Sequence, residues 1–413
     1  MLSQLNLFKK KLSGSHLNII VSVESAVKIS DISVYLVGGT VRDILLDRSP
    51  SDLDFLIEGN IDLQYFANLI GGTLLQESRF GTFKIDFNGE IVDFAFSRQE
   101  IYPSPGQLPV VKKGTFKEDL YRRDFTINSI AIAIGEDGEF SKIIDPFGGQ
   151  NDVLEKRIKV LHDKSFQDDP TRILRLFRYS GRLCFDIENS TRNILIRDLH
   201  MLDVISSDRL TNELYLILNE ESASRAFIQY ANHDDKMHLF DGAKIELSNF
   251  LKMDHQEVQS SKFSQELKFS ILALSIPIEM LDTWVKKFNF NSDFLQILDG
   301  VFEINNIRGD LLKTNMNNSD LFALMNKINE NVLRACLIIE EFSDLKEFIF
   351  LYLNKLKNLS VQLSGKDLIK LGITEGPKIG QILHELHVAK LNEMIFSLDD
   401  EKEFVQKINK NNS

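Results

Sequence analysis

The sequence predicts a mixed α/β domain over the first 150 residues or so, followed by an all-α remainder. Up to residue 150, short apolar runs of strand length alternate with segments of helical spacing. Asn88-Gly89 sits between two strand patterns as a hairpin signal. Beyond Asp145-Pro146-Phe147-Gly148-Gly149, a loop by composition, the chain reads as helix.

The elements follow in order. Residues 1–30 carry apolar residues at helical spacing: Leu7, Phe8, Leu12, Leu17, Ile19, Ile20, Val23 and Val27. Val34 to Val37 is a strand-like run ending in Gly38-Gly39, and Val41 to Leu46 begins a helix. Leu53 to Ile57 reads as a strand and Ile61 to Ile70 as a helix. Thr73 to Leu75, Thr82 to Phe87 and Ile91 to Phe96 read as strands. No internal repeat or low-complexity segment interrupts the pattern.

Composition excludes several classes. A formal charge of −12 over 413 residues argues against a broadly basic coat for nucleic acid. At 43% hydrophobic and 26% charged, the chain can build a sizeable core. Cys184 and Cys336 are far apart, so neither a disulfide framework nor a CxxC zinc site is available. No apolar run approaches the roughly 18 residues of a membrane helix, and the stretch after Lys9-Lys10-Lys11 has no signal-peptide core. The expectation is a soluble, multi-domain protein of a reducing, cytoplasmic compartment that does not engage membranes. Charge is uneven along the chain. Residues 151–225 are almost neutral, at −1, and hold nine of the 17 arginines, the side chain best suited to bidentate contact with phosphate.

Asp52-Leu53-Asp54 is the centre of the chemistry. Residues two apart on a strand share a face, so these carboxylates project together while Leu53, Phe55 and Ile57 enter the core. Paired carboxylates suit a divalent cation such as Mg²⁺. A third acid, Asp93, lies in another strand pattern, and the three together suit a two-metal site. The bland alternative is two solvated acids at a strand end. Upstream, Gly38-Gly39 between strand and helix lets backbone approach a phosphate, and Arg42 adds a cation. This is neither a Walker loop nor a dinucleotide fingerprint. Further on, Asp169-Pro170 looks like a helix start, with Asp as N-cap and Pro in the first turn. On that helix Arg172, Arg175 and Arg178 form a row opposite Ile173, Leu174, Phe177 and Gly181, a pattern that favours a polyanion ligand.

These segments, in order, resemble the motifs of the class II tRNA nucleotidyltransferase (CCA-adding enzyme) and bacterial poly(A) polymerase family. Leu36 to Leu46 with Ser51-Asp52-Leu53-Asp54-Phe55 is similar to the first motif, and Asp119 to Ala131, containing Arg122-Arg123-Asp124-Phe125, to the second. Asp145 to Val153, Asp168 to Arg175 and Ser207 to Leu214 resemble the remaining three. Ser364 to Gly380 resembles the tail of the tRNA-processing branch. The resemblance covers most of the chain and is weak over 226–360.

The resemblance implies an α/β nucleotidyltransferase head over 1–150 (a mixed sheet with flanking helices). After it would come an all-α helical neck over 151–225, a body over 226–360 and a tRNA-binding tail over 361–413. It implies attack of a tRNA 3′-hydroxyl on the α-phosphate of CTP or ATP with release of pyrophosphate. Asp52 and Asp54 would hold Mg²⁺. Asp93 would be the third carboxylate, or else a buried acid paired with an arginine such as Arg98. Gly38, Gly39, Arg42 and Arg123 would contact the nucleotide. Arg122, Asp124 and Asn128 fit structural roles as well. Asp169 and Arg172 would pair with the base edge: an acceptor for the exocyclic amine that C and A carry, and a donor for ring N or O. Arg175 and Arg178 would serve the triphosphate and the site wall. Lys378, in the turn Gly376-Pro377-Lys378-Ile379-Gly380, would meet an RNA phosphate, the alternative being an ordinary turn between packed helices.

Two departures bear on scope. The loop Tyr102-Pro103-Ser104-Pro105-Gly106-Gln107-Leu108-Pro109 lacks the arginine pair of many full CCA-adding members, and the base-reading motif begins with Asp168 rather than Glu. An enzyme adding only A or only CC, a poly(A) polymerase, and an inactive RNA- or nucleotide-binding regulator are the competing readings. Retention of all three carboxylates speaks against the last. The sequence leaves the oligomeric state open.

Overall fold

The structure is a computed structural model describing residues 10–78, 81–135, 140–312 and 316–411. Leu7 and Phe8 of the first helical pattern therefore lie outside the described residues. The chain divides into two compact units, Met1–Leu239 and Phe240–Ser413.

The first unit contains nine longer strands: β1 (Ile32–Val37), β2 (Asp54–Gly59), β3 (Thr73–Glu77), β4 (Thr82–Phe87), β5 (Glu90–Phe96), β6 (Arg98–Ile101), β7 (Val110–Lys113), β8 (Ala131–Ile134) and β9 (Phe140–Ile144). Seven form one sheet, ordered β3-β4-β5-β2-β1-β8-β9, and β6 and β7 form a separate hairpin. Within the large sheet only β2 and β5 run parallel, in the register Asp54↔Asp93, Phe55↔Phe94, Leu56↔Ala95. The Asn88-Gly89 turn closes the β4–β5 hairpin with both residues at positive φ, 56° and 91°.

Alternation sends the two sets of side chains to opposite faces, and both faces are packed. On one, Phe55 stacks on Phe94 at 4.9 Å and Phe83 on Phe94 at 5.4 Å, with Phe66 edge-on at 5.3 Å. On the other, Val37, Leu56 and Ala131 pack with Leu120. Leu120 belongs to a helix that begins in a capping box at Thr115 and Glu118. Asp54 shares the second face with Leu56 but lies at the strand's opening residue, where that cover ends.

The helices of this unit are α1 (Gly14–Lys28), α2 (Gly39–Leu45), α3 (Leu63–Leu69), α4 (Phe116–Tyr121), α5 (Gly149–Leu154), α6 (Ser165–Asp168), α7 (Thr171–Leu183), α8 (Asn189–Asp198), α9 (Ser207–Asn219) and α10 (Ala223–Ala231). Helix α1 buries Ile19, Ile20, Val23 and Val27, the residues its spacing marks out. Ile173, Leu174, Phe177 and Gly181 of α7 are buried, as the wheel requires.

Three local expectations change. Strand β2 begins at Asp54, so Asp52 sits in the preceding bend rather than on the strand. Helix α7 begins at Thr171 with Pro170, not Asp169, in the N-cap position; Asp169 stands one residue further out, its Oδ1 accepting from the Thr171 backbone N–H at 3.1 Å. The region after residue 150 is not purely helical, because Arg157–Ile158 pairs in parallel with Asp186–Ile187.

The second unit is helical. Trp284 is its buried centre, among Phe240, Phe269, Phe288 and Phe290 at 4.8–6.3 Å. Its last part has a core of Leu363, Leu368, Ile373, Ile382, Leu386, Ala389, Ile395 and Val405. There Glu401 is buried, accepting from Lys390 Nζ at 2.7 Å and from the Gln362 and Leu363 backbone N–H groups. Among the described residues no helix is long and apolar enough to cross a membrane.

Candidate active site

The site is built around the opening of β2. Thr40, in the first turn of α2, ties that helix to the carboxylate segment: its hydroxyl donates to the Asp52 carbonyl at 3.1 Å and accepts from the Asp54 N–H at 3.1 Å. Before α2, Gly38 turns with φ +66, and a Cβ there would lie 3.0 Å from Arg123 Nη1 and 3.9 Å from Asp54 Oδ2. Only hydrogen leaves that space open between the glycines, the acid and the arginine.

Burial pushes the Asp54 carboxyl above its ordinary range; Arg123 pulls it back, and Asp93 and Asp52 add to the rise. Asp52 is exposed and accepts from the Ser51 hydroxyl at 2.9 Å. Asp93 is half-exposed and pairs with Lys84 at 3.1 Å, not with Arg98, whose guanidinium bonds Glu100 at 2.7 Å. Among the described residues no three His, Cys, Asp or Glu side chains converge into a closed metal cage. The donor set nonetheless fits a hard divalent cation: all three are carboxylates, and Asp54 carries repulsion that a cation would relieve.

Arg123 lies alongside. Its Nη2 pairs with buried Asp119 at 3.2 Å and its Nη1 donates to the Asn128 carbonyl at 3.3 Å, while its buried Nε has no hydrogen-bond partner. Arg122 bonds Asp119 and Glu100 at 2.6 and 3.0 Å. The Glu100 carboxylate also accepts from the Tyr102 hydroxyl at 2.7 Å.

Helix α7 supplies the opposite wall. Arg172 is buried, its two terminal nitrogens donating to the Ser165 hydroxyl at 2.9 Å and the Arg122 carbonyl at 2.6 Å. Arg175 grips Asp124 Oδ2 through two nitrogens at 3.0 and 2.5 Å. Burial alone would raise the Asp124 carboxyl, but Arg175 and the amide of Asn128 carry it down to about 2. Arg178 is buried against Glu213 and Glu220 at 3.7 and 3.5 Å. The arginine row is thus in large part an ion-paired seam facing acids of its own unit rather than a bare polyanion cradle.

A cavity of about 480 Å³ joins these groups. Gly38, Gly39, Asp54, Arg123, Asp169, Arg172 and Arg175 line it, of the residues the sequence singled out. Asp52, Asp93, Arg42 and Arg178 do not. Arg42 is buried, with one nitrogen bonded to Asn128 Oδ1 at 2.6 Å and another to Asp43 at 2.8 Å, and it packs on Tyr179 at 5.3 Å. The expected phosphate contact from Arg42 gives way to this internal role, because its guanidinium is already spent. Lys378 lies in the second unit, in the first turn of the helix Pro377–Leu391 after Gly376 at φ +138. Its neighbour Ile379 packs on the unit's core.

Lining residues with no role assigned from sequence include Tyr102, Leu108, Tyr179 and Arg209. Tyr179 is recoverable, falling on the wheel between Arg172 and Arg175, and it meets the Arg175 and Arg178 guanidinium groups at 5.7 and 5.1 Å. Arg209 sits in a motif that the sequence did flag, but its partner Asp169 is 40 residues away.

Residues 34–159 match the poly A polymerase head domain. An A-adding tRNA nucleotidyltransferase of Geobacter sulfurreducens is 31% identical over 396 residues, 90% of this chain. The chain spans 44% of that relative's own length, less than half. A solved CCA-adding enzyme in an apo form superimposes with a TM-score of 0.79 at 28% identity, covering 97% of this chain and 98% of the other. A Thermotoga maritima CCA-adding enzyme complexed with tRNA gives 0.74 at 26% identity, covering 97% of both. Head-domain match, full-length structural likeness and the carboxylate–arginine cavity agree: residues 34–159 resemble a poly A polymerase head domain, and the chain as a whole is similar to CCA-adding enzymes.

Proposed function

We propose that the protein adds C and/or A residues to the 3′ end of tRNA, using CTP and ATP and releasing pyrophosphate, in the cytoplasm. One observation carries the reading: a single cavity is lined both by Gly38-Gly39 and Asp54 and by Asp169 and Arg172. That is the arrangement a triphosphate and a base edge require.

The family implies a divalent metal, Mg²⁺ in our reading. Held by Asp52 and Asp54 with Asp93 alongside, it would activate the 3′-hydroxyl and neutralise the departing pyrophosphate. The chain's own residues do the positioning. Gly38 and Gly39 let backbone approach the phosphates, and Arg123 offers them a guanidinium whose buried Nε is unpaired. Asp169 accepts from the exocyclic amine of cytosine or adenine, and Arg172 donates to the ring. Uracil and guanine would leave one of these groups unpaired. Arg175 holds the wall through Asp124, and Arg178 and Arg42 brace Tyr179 from behind. The last segment, with Lys378, meets the tRNA backbone. The finer division into head, neck, body and tail belongs to the same reading.

The test offers the full chain tRNAs ending before CCA, after C and after CC, with each nucleoside triphosphate separately. Addition of C, C and A in turn, or of one part of that series, supports the reading and defines its scope. A long A tail points to poly(A) polymerase activity, and no incorporation with any substrate overturns the reading.

A further inference from the structure

Arg209, in the first turn of α9, reaches two segments at once. Its Nη2 donates to Asp169 Oδ1 at 2.5 Å and its Nη1 to the Gly106 carbonyl at 3.0 Å. The same Asp169 oxygen accepts from the Thr171 hydroxyl at 2.6 Å and from the Thr171 N–H at 3.1 Å. Three donors thus converge on Oδ1, while no hydrogen bond from the described residues reaches Oδ2. Asp169 lines the nucleotide cavity, so its carboxylate offers that cavity one open acceptor rather than two.

The second arm holds the loop from Tyr102 to Pro109, whose Tyr102, Leu108 and Pro109 line the same cavity. Gly106 has φ +75, and a Cβ there would lie 2.9 Å from Val204 Cγ2 and 3.1 Å from the Val204 carbonyl oxygen. The loop tip therefore rests on the segment before α9 and is tied to α9 by one arginine nitrogen.

We propose that Arg209 is a specificity-determining positioning residue: with Thr171 it occupies Asp169 Oδ1 and, as the one charged donor there, fixes the carboxylate so that a single acceptor faces the base, and by holding Gly106 it seats the loop that walls the cavity. The proposal rests on the reading that Asp169 meets the base edge. Its chemistry is specific. Cytosine and adenine each bring one exocyclic amine, which one oxygen satisfies. Guanine brings N1–H and an N2 amine side by side, a two-donor edge that matches a carboxylate with both oxygens open. Removing Arg209 takes away the charged donor that fixes the carboxylate, leaving it to Thr171 alone and free to turn so that both oxygens reach that edge. Selectivity against GTP should then relax, whereas a purely structural arginine would lower turnover of every nucleotide alike.

The experiment measures kcat and KM for single-nucleotide addition by the full chain, with the cognate nucleotide (ATP or CTP) and with GTP. Arg209→Gln should reduce the cognate-over-GTP ratio of kcat/KM by about tenfold or more, the scale of a polar mismatch in a closed site. Arg209→Lys can still fill Oδ1 but cannot span both partners. It should hold the ratio within about threefold while raising KM. Gly106→Ala unseats the loop without touching Asp169 and should raise KM for cognate nucleotide and GTP together, leaving their ratio. An unchanged ratio in Arg209→Gln overturns the proposal, as does a tenfold loss in Arg209→Lys. If Arg209→Gln does not melt cooperatively, the lysine variant decides. Asp169→Asn separates the two levels. If it shifts the ratio and Arg209→Gln does not, only the role of Arg209 falls; if neither shifts it, base reading by Asp169 falls with it.

Discussion

Replacing Arg175 with methionine strips Asp124 of its counter-ion. Asp124 is buried, and its second oxygen already serves the Phe125 N–H at 2.8 Å and the Asn128 amide at 2.9 Å, so that beyond Arg175 only Arg172 acts on its charge, and through space rather than by a hydrogen bond. The distance from the ordinary aspartate value down to about 2 corresponds to about 2 kcal/mol. Leaving the charge uncompensated takes the cost toward about 3 kcal/mol, the lower part of the range for a broken buried pair, since Arg175 retains some access to water. Urea denaturation at pH 7 of Arg175→Met, Asp124→Asn and the double variant measures both the single losses and their coupling. We expect each single change to cost about 3 kcal/mol and the coupling to be about 2 kcal/mol. The pH dependence has a definite sign. The folded carboxyl lies below its unfolded value, so the pair's contribution is fully present above about pH 4 and fades as pH falls toward 2. The deficit of Arg175→Met should therefore be flat from pH 5 to about 8 and shrink in acid. A coupling near zero, or a deficit that grows on acidification, would refute the argument.

Asp54→Ala should lower nucleotide incorporation by about a thousandfold or more with Mg²⁺ present while tRNA affinity changes little; incorporation kinetics and filter binding check this, and near-normal turnover would remove Asp54 from the chemistry. Glu401→Ala leaves Lys390 buried without its partner and two backbone N–H groups unsatisfied, so thermal melts should register a loss of about 3 kcal/mol in the second unit. Lys378→Ala should weaken tRNA binding modestly and reduce the slope of log affinity against log salt by about one; an unchanged slope would leave the turn with its packing role alone.

What the sequence could reveal depended on range. Asp54-Phe55-Leu56 and Gly38-Gly39 were readable because strand alternation and glycine conformation act within a few residues, although alternation extended the strand too far, onto Asp52. The α7 wheel correctly separated Ile173, Leu174 and Phe177 from the arginines, because helical periodicity is also local. It could not say what the arginines face. Asp124 lies 51 residues from Arg175, and its acidic side chain carries no mark of that pairing. The same holds for Arg209 and Asp169. Strand β8 was passed over for a different reason. Ala131-Ile132-Ala133-Ile134 lies between two neighbours in the sheet, so no polar alternation advertises it. The β6–β7 hairpin is short and mixed in polarity, and its importance comes only from the loop it carries to α9.

The parallel pairing of β2 with β5 has a consequence for which changes of chain length this domain can absorb. Asp54 and Asp93 stand opposite one another on adjacent strands, so their separation is governed by the lateral strand spacing, about 4.8 Å between backbones. Everything between them in the chain, from α3 through the β3–β4–β5 meander, is a detour whose length does not enter that distance. Insertions at Gly71-Gly72 or at the Asn88-Gly89 turn should leave the acidic pair undisturbed. A one-residue slip in β5 would instead carry Asp93 to the phenylalanine face and bring Val92 opposite Asp54. The spacing of the acidic pair is thus tolerant of added chain and intolerant of lost register.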